Sequence, residues 1–192
     1  VRLIEMAQKN AKNAYLVSRI QDADFARTLQ TLRETLQLKQ VPDRIECFDI
    51  SNTLGKQAVG SMVTFEQGKP NKARYKRFRI KTVGHIDDYA MMHEVLTRRY
   101  KRAIEEADMP DLIIVDGGKG QLGVALKVFE ELAMGNVDLI SLAKGRTESV
   151  VTGEKIGEQV FIPYQTAPII MEPSSPELLF LDKVRDEAHP FA

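Results

Sequence analysis

The chain has 192 residues, 43% of them apolar and 28% charged, which suits one substantial domain with its own core and excludes a disordered or fibrous protein. A single cysteine, Cys47, set in an apolar run, excludes a disulfide framework and a cysteine-based zinc site and fits a reducing, cytoplasmic setting. Net charge is zero, and no apolar stretch approaches the roughly 18–20 residues that span a bilayer, so a soluble protein with no membrane partner is expected.

Residues 1–40 contain no Pro or Gly and are rich in helix formers, with Leu3, Ala7, Ala11, Ala14, Leu16 and Ile20 near helical spacing. They predict an N-terminal segment of one or two helices packing on the domain. The chain starts at Val1 without an initiator methionine or a signal pattern, and a piece of a longer protein is expected. Val41-Pro-Asp43 interrupts the helical pattern, and the folded catalytic unit is expected over residues 41–192.

Ile45 to Ser51 reads as a short buried strand, followed by a turn at Thr53-Leu-Gly-Lys56 and a strand from Ala58 to Glu66. Ala73 to Lys81 pairs back across Gln67-Gly-Lys-Pro70, completing an antiparallel meander of three strands. Asp87 to Ala107 switches to helical period and Pro110 closes it. Leu112 to Val115 is too continuously apolar for a half-exposed strand and predicts a buried parallel one, with Gly117-Gly-Lys-Gly120 as its loop. Gln121 to Met134 is a second amphipathic helix, Val137 to Ala143 a further strand, and Ser149 to Pro163 a hairpin about Gly153 and Gly157. Ser175-Pro176-Glu177 starts a final helix toward His189. This order predicts an α/β fold with a mixed five-stranded sheet, three antiparallel strands then parallel ones, flanked by helices. It matches the ribonuclease-H-like fold, in which the middle of the first strand and the end of the fourth lie side by side.

Asp49 and Asp116 occupy those two places. A carboxylate on an apolar strand is costly to desolvate unless a positive charge compensates it, and two on neighbouring strands point to divalent cations. Phosphodiester hydrolysis needs an activated water, a neutralised phosphate and a stabilised leaving oxygen, which two Mg²⁺ or Mn²⁺ ions about 4 Å apart supply. Asp49 could bridge such ions, with Asp116 and one of Asp87, Asp88 or His189 completing the set. Each residue also has a simpler reading. Asp116 at a strand end could cap a turn, Asp87 and Asp88 could cap a helix, and His189 could sit at the surface. Asp49, between Phe48 and Ile50 in mid-strand, has no capping role to play. Gly117-Gly-Lys-Gly120 lacks the Gly-x4-Gly-Lys-Ser/Thr pattern of nucleotide triphosphatases; its glycines let backbone or Lys119 approach a nucleic-acid phosphate, or simply make a tight turn.

Charge is unevenly spread. Residues 69–102 hold 11 basic and 3 acidic side chains, a +8 block in a neutral chain. Lys72, Arg74 and Lys76, then Arg77, Arg79 and Lys81, make the third strand a candidate for phosphate contacts without sequence reading. A basic edge strand is also an ordinary defence against edge pairing.

Glu46-Cys-Phe-Asp-Ile-Ser51, Asp88-Tyr-Ala-Met-Met92, Leu96-Thr-Arg-Arg-Tyr100, Val115-Asp-Gly-Gly-Lys-Gly-Gln-Leu122, Leu142-Ala-Lys-Gly145 and Val184-Arg-Asp-Glu-Ala-His189 follow one another in an order that closely resembles the UvrC family, the nuclease subunits of the bacterial UvrABC excinuclease. The resemblance runs from about residue 40 to the end and corresponds to the C-terminal endonuclease domain. It implies a ribonuclease-H-like, metal-dependent DNA endonuclease of nucleotide excision repair that cuts 5′ to a lesion in damaged double-stranded DNA. It implies catalytic roles for Asp49, Asp88, Asp116 and His189, and a UvrB-type partner bound through segments outside this chain. Asn52 stands where the family commonly has His, and Pro190 where it commonly has Arg; a following proline biases His189 away from helical geometry. The rival from another class is a catalytically silent nucleic-acid or protein-binding module on the same fold, for which the acidic residues need not converge.

Overall fold

Alternation along the first strand, β1 (Arg44–Ser51), divides the molecule into two halves: Ile45 and Cys47 enter one core with Asp49 on the same side, while Glu46 and Phe48 face the other. The computed structural model describes residues 22–51, 59–80, 87–144 and 158–191. Strand β2 (Val59–Glu66) pairs antiparallel with β1, placing Ser61 opposite Asp49. Short β3 (Lys69–Pro70) and β4 (Lys76–Arg79) both pair with β2. On the other side of β1, β5 (Leu112–Asp116) and β6 (Asp138–Ala143) continue the sheet in parallel. Antiparallel β7 (Gln159–Phe161) and β8 (Ile169–Ile170) extend it further.

The mixed sheet therefore follows the expected order, with eight strands among the described residues where five were expected. Strand β7 falls within the Ser149–Pro163 region expected to form a hairpin, whereas β8 lies beyond it; residues 149–157, including the proposed turn, and the Thr53–Lys56 turn lie outside the described residues. The third strand expected over Ala73–Lys81 is a different object. Lys72–Arg74 form a 3-10 turn and only Lys76–Arg79 pair with β2. Pro70 has no amide hydrogen with which to prolong a ladder, and Arg74 is drawn away to Glu66 at 2.9 Å and Asp108 at 2.9 Å.

Helix α1, over residues 22–36, places Leu29, Leu32 and Leu36 on one sheet face, in the same core as Phe180, Leu181 and Val184 of α4 (Pro176–Ala188). The opposite face is covered by α2 (Asp88–Glu105) and α3 (Lys119–Glu131) through Val95, Leu96, Leu122 and Ala125. The helix starts are chemically explicit. The Asp87 carboxylate accepts from the amides of Tyr89 and Ala90, and the Ser175 hydroxyl accepts from Leu178 with Pro176 in the first turn. No described helix is long and apolar enough to cross a membrane.

On the α2 face, Glu46 and Arg99 are only 1% and 2% exposed. Arg99 grips the carboxylate with Nη2 at 2.6 Å and Nε at 3.2 Å, and the Tyr100 hydroxyl donates to it at 2.8 Å. This fork ties α2 to β1 three residues before Asp49. Arg99→Met leaves the Glu46 charge buried without its cation and is expected to cost about 3–5 kcal/mol in urea denaturation. The double variant Glu46→Leu/Arg99→Met is expected to return to within about 2 kcal/mol of wild type, the residue of the loss being the Tyr100 hydroxyl left without an acceptor.

Candidate active site

Parallel pairing of β1 with β5 sets Phe48 opposite Val115, so the next residue on each strand is an aspartate: Asp49 on β1 and Asp116 on β5. Phe48 and Val115 share the α2 and α3 core, whereas Cys47 and Ile114 share the α1 and α4 core. Alternation then turns both carboxylates toward the α4 side. There the residue that caps the C-terminus of α4 brings in the third member, with His189 Nδ1 at 3.2 Å from Asp49 Oδ2. Ligand atoms of Asp49, Asp116 and His189 all lie within 4.8 Å of one another. Asp49 is 7% exposed and Asp116 half-buried, while His189 opens to solvent.

Burial and the neighbouring Asp49 charge push the Asp116 carboxyl up from its ordinary range, with Arg185, His189 and Lys144 pulling the other way. Beneath them, burial together with the Asp116 and Asp49 charges holds the Cys47 thiol well above its ordinary range. This corner of the sheet favours an added positive charge. Two carboxylate oxygens and an imidazole nitrogen form a donor set suited to a hard divalent cation that tolerates nitrogen.

The segment bearing His189 is held on both sides. The Ser61 hydroxyl donates to the Ala188 carbonyl at 3.1 Å, and Arg77 Nε donates to the Phe191 carbonyl at 2.8 Å with its guanidinium 4.7 Å above the Phe191 ring. Tyr75 meets that ring edge-on at 5.1 Å and its hydroxyl donates to Glu187 at 3.0 Å. These contacts explain a departure from expectation. His189 keeps helical backbone, φ −58° and ψ −51°, despite the following Pro190, because the 3-10 turn His189–Phe191 is anchored from β2 and β4.

The β5 to α3 connection is the tight turn its glycines allow. Gly117 has φ +135°, and a Cβ there would lie 2.6 Å from the Gln121 side chain, whose carbonyl oxygen accepts from the Gly118 amide at 3.1 Å. A Cβ on Gly120 would meet the Tyr89 hydroxyl at 2.4 Å, so that glycine lets the starts of α2 and α3 close together. Lys119 begins α3, exposed, its ammonium 3.4 Å from the Thr166 carbonyl.

The structure does not bring every expected residue to this place. Asp88 stands on the exposed first turn of α2, outside the Asp49, Asp116 and His189 group, and Asp87 is occupied as the cap of that helix. Among the basic residues, Arg74 is committed to Glu66 and Asp108 and Arg77 to Phe191. Lys76 is half-buried on the α2 side, its pKa lowered by desolvation and by Arg99. Arg79 is exposed and its carbonyl accepts from Arg98 at 2.8 Å.

Two cations that sequence reasoning left without a role line a cavity of about 470 Å³ with Asp116, Asp186 and His189: Lys144 and Arg185. Arg185 is 5% exposed, with Nη1 at 2.9 Å from Glu158 and Nη2 at 3.0 Å from Asp182. Its spacing from His189, one helical turn, was the available signal; Lys144 lies two residues past Leu142, the β6 partner of Asp116, a relation that exists only once the sheet is assembled.

Residues 33–192 match the model of the UvrC RNase H endonuclease domain. The chain is 51% identical over 189 residues to the UvrABC system protein C of Protochlamydia amoebophila (strain UWE25), and 44% identical over 193 residues to that of Geobacter metallireducens (strain ATCC 53774 / DSM 7210 / GS-15). These alignments take in 97% and 99% of the chain but 30% and 31% of the relatives, so the chain spans about three tenths of the length of the curated relatives it matches. Among solved structures, Ciona intestinalis endonuclease V (D234N) in complex with a 23mer DNA is similar at a TM-score of 0.47 and 14% identity, over 88% of this chain and 94% of that one. With the family model covering most of its length and the mixed sheet carrying two abreast aspartates, this chain belongs to the UvrC RNase H endonuclease domain family.

Proposed function

We propose that this domain cuts DNA by metal-dependent phosphodiester hydrolysis during nucleotide excision repair, making the incision 5′ to a lesion, with Asp49, Asp116 and His189 holding Mg²⁺ or Mn²⁺. The observation that carries the reading is the convergence of these three side chains within 4.8 Å at one end of the sheet. A silent binding module gives no reason for buried Asp49 to stand beside Asp116, whose carboxyl burial and the Asp49 charge push up from its ordinary range. Bound divalent ions supply an activated water and neutralise the phosphate and the leaving oxygen.

The chain's own groups set up that chemistry. Asp49, fixed in mid-strand, has its Oδ2 3.2 Å from His189 Nδ1, a contact that keeps the imidazole beside the carboxylates. Asp116 supplies the facing oxygen at the open end of β5. Lys119 and Arg79, both exposed, are the assigned backbone-phosphate contacts, and the committed Arg74 and Arg77 and half-buried Lys76 act through the fold. Asp88 is assigned to the positive end of the α2 dipole rather than to the ions. Lesion recognition and docking on a UvrB-type partner fall to the rest of a longer protein.

The test uses the full-length protein with its partners on a lesion-containing duplex. Asp49→Asn and Asp116→Asn are each expected to slow the 5′ cut by about 10³-fold or more while DNA binding persists; unchanged cutting overturns the site. Ion binding has its own readout. Saturating Mn²⁺, at about 100 times its Kd, is expected to stabilise the wild-type domain by about 2.7 kcal/mol and to leave Asp49→Asn unmoved in thermal melts.

Without ions the Asp116 carboxylate, desolvated beside Asp49, opposes folding. Because the folded state raises the Asp116 pKa, it binds the extra proton between the unfolded and folded values. Stability therefore falls as pH rises through that window, and the penalty is complete above it. Asp116→Asn is expected to raise the metal-free melting temperature at pH 7 by roughly 2–4 °C and to flatten its dependence on pH above the ordinary aspartate range.

A further inference from the structure

The cavity beside the three converging side chains is lined by both charges a phosphodiester must negotiate: Asp116 and Asp186 repel it, and Lys144 and Arg185 attract it. The two cations are not equivalent. Arg185 is buried, with Nη2 paired to Asp182 on its own helix and Nη1 to Glu158, the contact that fixes α4 against the segment leading into β7. Lys144 is exposed, and among the described residues its ammonium makes no ion pair or hydrogen bond. Its position is set by the sheet. Leu142 pairs with Asp116 across the parallel β5 and β6 ladder, and the Gly117 amide donates to the Leu142 carbonyl at 3.0 Å, so Lys144 leaves the same sheet end as Asp116.

We propose that Lys144 is a catalytic residue whose ammonium holds a non-bridging oxygen of the scissile phosphodiester, a role that rests on the nuclease reading of the Asp49, Asp116 and His189 site. In the reaction a water oxygen bonds to phosphorus and the bond from phosphorus to O3′ breaks. One water proton ends on O3′, giving a 3′-hydroxyl, and the remaining hydroxyl stays on the 5′-phosphate. Negative charge accumulates on the non-bridging and leaving oxygens as this happens. A flexible, compact ammonium at the cavity wall can follow that charge, whereas the clamped guanidinium of Arg185 cannot leave its carboxylates. The Leu142-Ala-Lys-Gly145 motif thereby acquires a chemical role.

The experiment measures single-turnover 5′ cutting of a lesion-containing duplex by the full-length protein with its partners, for wild type, Lys144→Ala, Lys144→Gln, Lys144→Arg and Asp116→Asn, with duplex affinity and melting temperature measured alongside. The expected result is a loss of about 10²-fold for Lys144→Ala and Lys144→Gln at unchanged affinity and melting temperature, and recovery to within about 10-fold of wild type for Lys144→Arg. Cutting within threefold of wild type by Lys144→Ala, while Asp116→Asn is inactive, overturns the phosphate role alone. An equal loss in Lys144→Arg and Lys144→Ala also overturns it, since charge would then not be what matters. Undiminished cutting by Asp116→Asn overturns the nuclease reading itself.

Discussion

The parallel register of β1 on β5 is the constraint on which the site depends. Once Phe48 faces Val115, Asp49 and Asp116 must stand abreast and on the same side of the sheet, because side-chain direction alternates with a period of two. A slip of one residue would turn one carboxylate into the α2 and α3 core, so the apolar residues that fix the register also fix the chemistry. The arrangement is electrostatically unfavourable by itself, as the raised Asp116 pKa records. The rest of this corner reads as its compensation: His189 against Asp49, Arg185 and Lys144 at the cavity, and the divalent cations the site is proposed to hold.

Two polar networks outside the site keep it in place. On the far face, the buried Glu46 and Arg99 fork, with Tyr100, pins β1 to α2. On the near face, β2 and β4 bracket His189: Ser61 holds the carbonyl before it and Arg77 the carbonyl two residues after it, with Tyr75 and Arg77 packed on Phe191. The basic strand is therefore partly an internal brace. A guanidinium that is lodged on a carbonyl and a ring is poorly placed to bind a phosphate as well, so positive sequence charge overstates the positive surface available to a polyanion.

Much of this was legible in the sequence, and what was not has identifiable causes. The helix and strand order, an aspartate cap at Asp87 or Asp88, the Ser175 cap and the buried parallel strand over Leu112–Val115 follow from local patterns, and the structure has them, with Asp87 as the cap and the strand running on to Asp116. Asp49 was legible because a charge flanked by Phe48 and Ile50 in mid-strand has no structural excuse. His189 was one of three candidates for the third ligand and only resemblance singled it out, since nothing in the local sequence says that a helix end meets a strand 140 residues away. Lys72–Arg74 leave the expected third strand for a 3-10 turn because Arg74 answers to Asp108, 34 residues on. Pro190 was expected to push His189 out of helical geometry, and tertiary anchoring of the following turn outweighed that local preference. Lys144 and Arg185 had no visible role because their meaning lies in the placement of β6 and α4 about Asp116.

The most direct measurement is the anomalous diffraction of a crystal of this domain equilibrated with Mn²⁺. The account predicts a manganese peak bounded by Asp49, Asp116 and His189, lost in Asp49→Asn. A structure in which manganese binds elsewhere, or in which these three residues remain together with no peak between them at saturating Mn²⁺, would contradict the metal-nuclease reading.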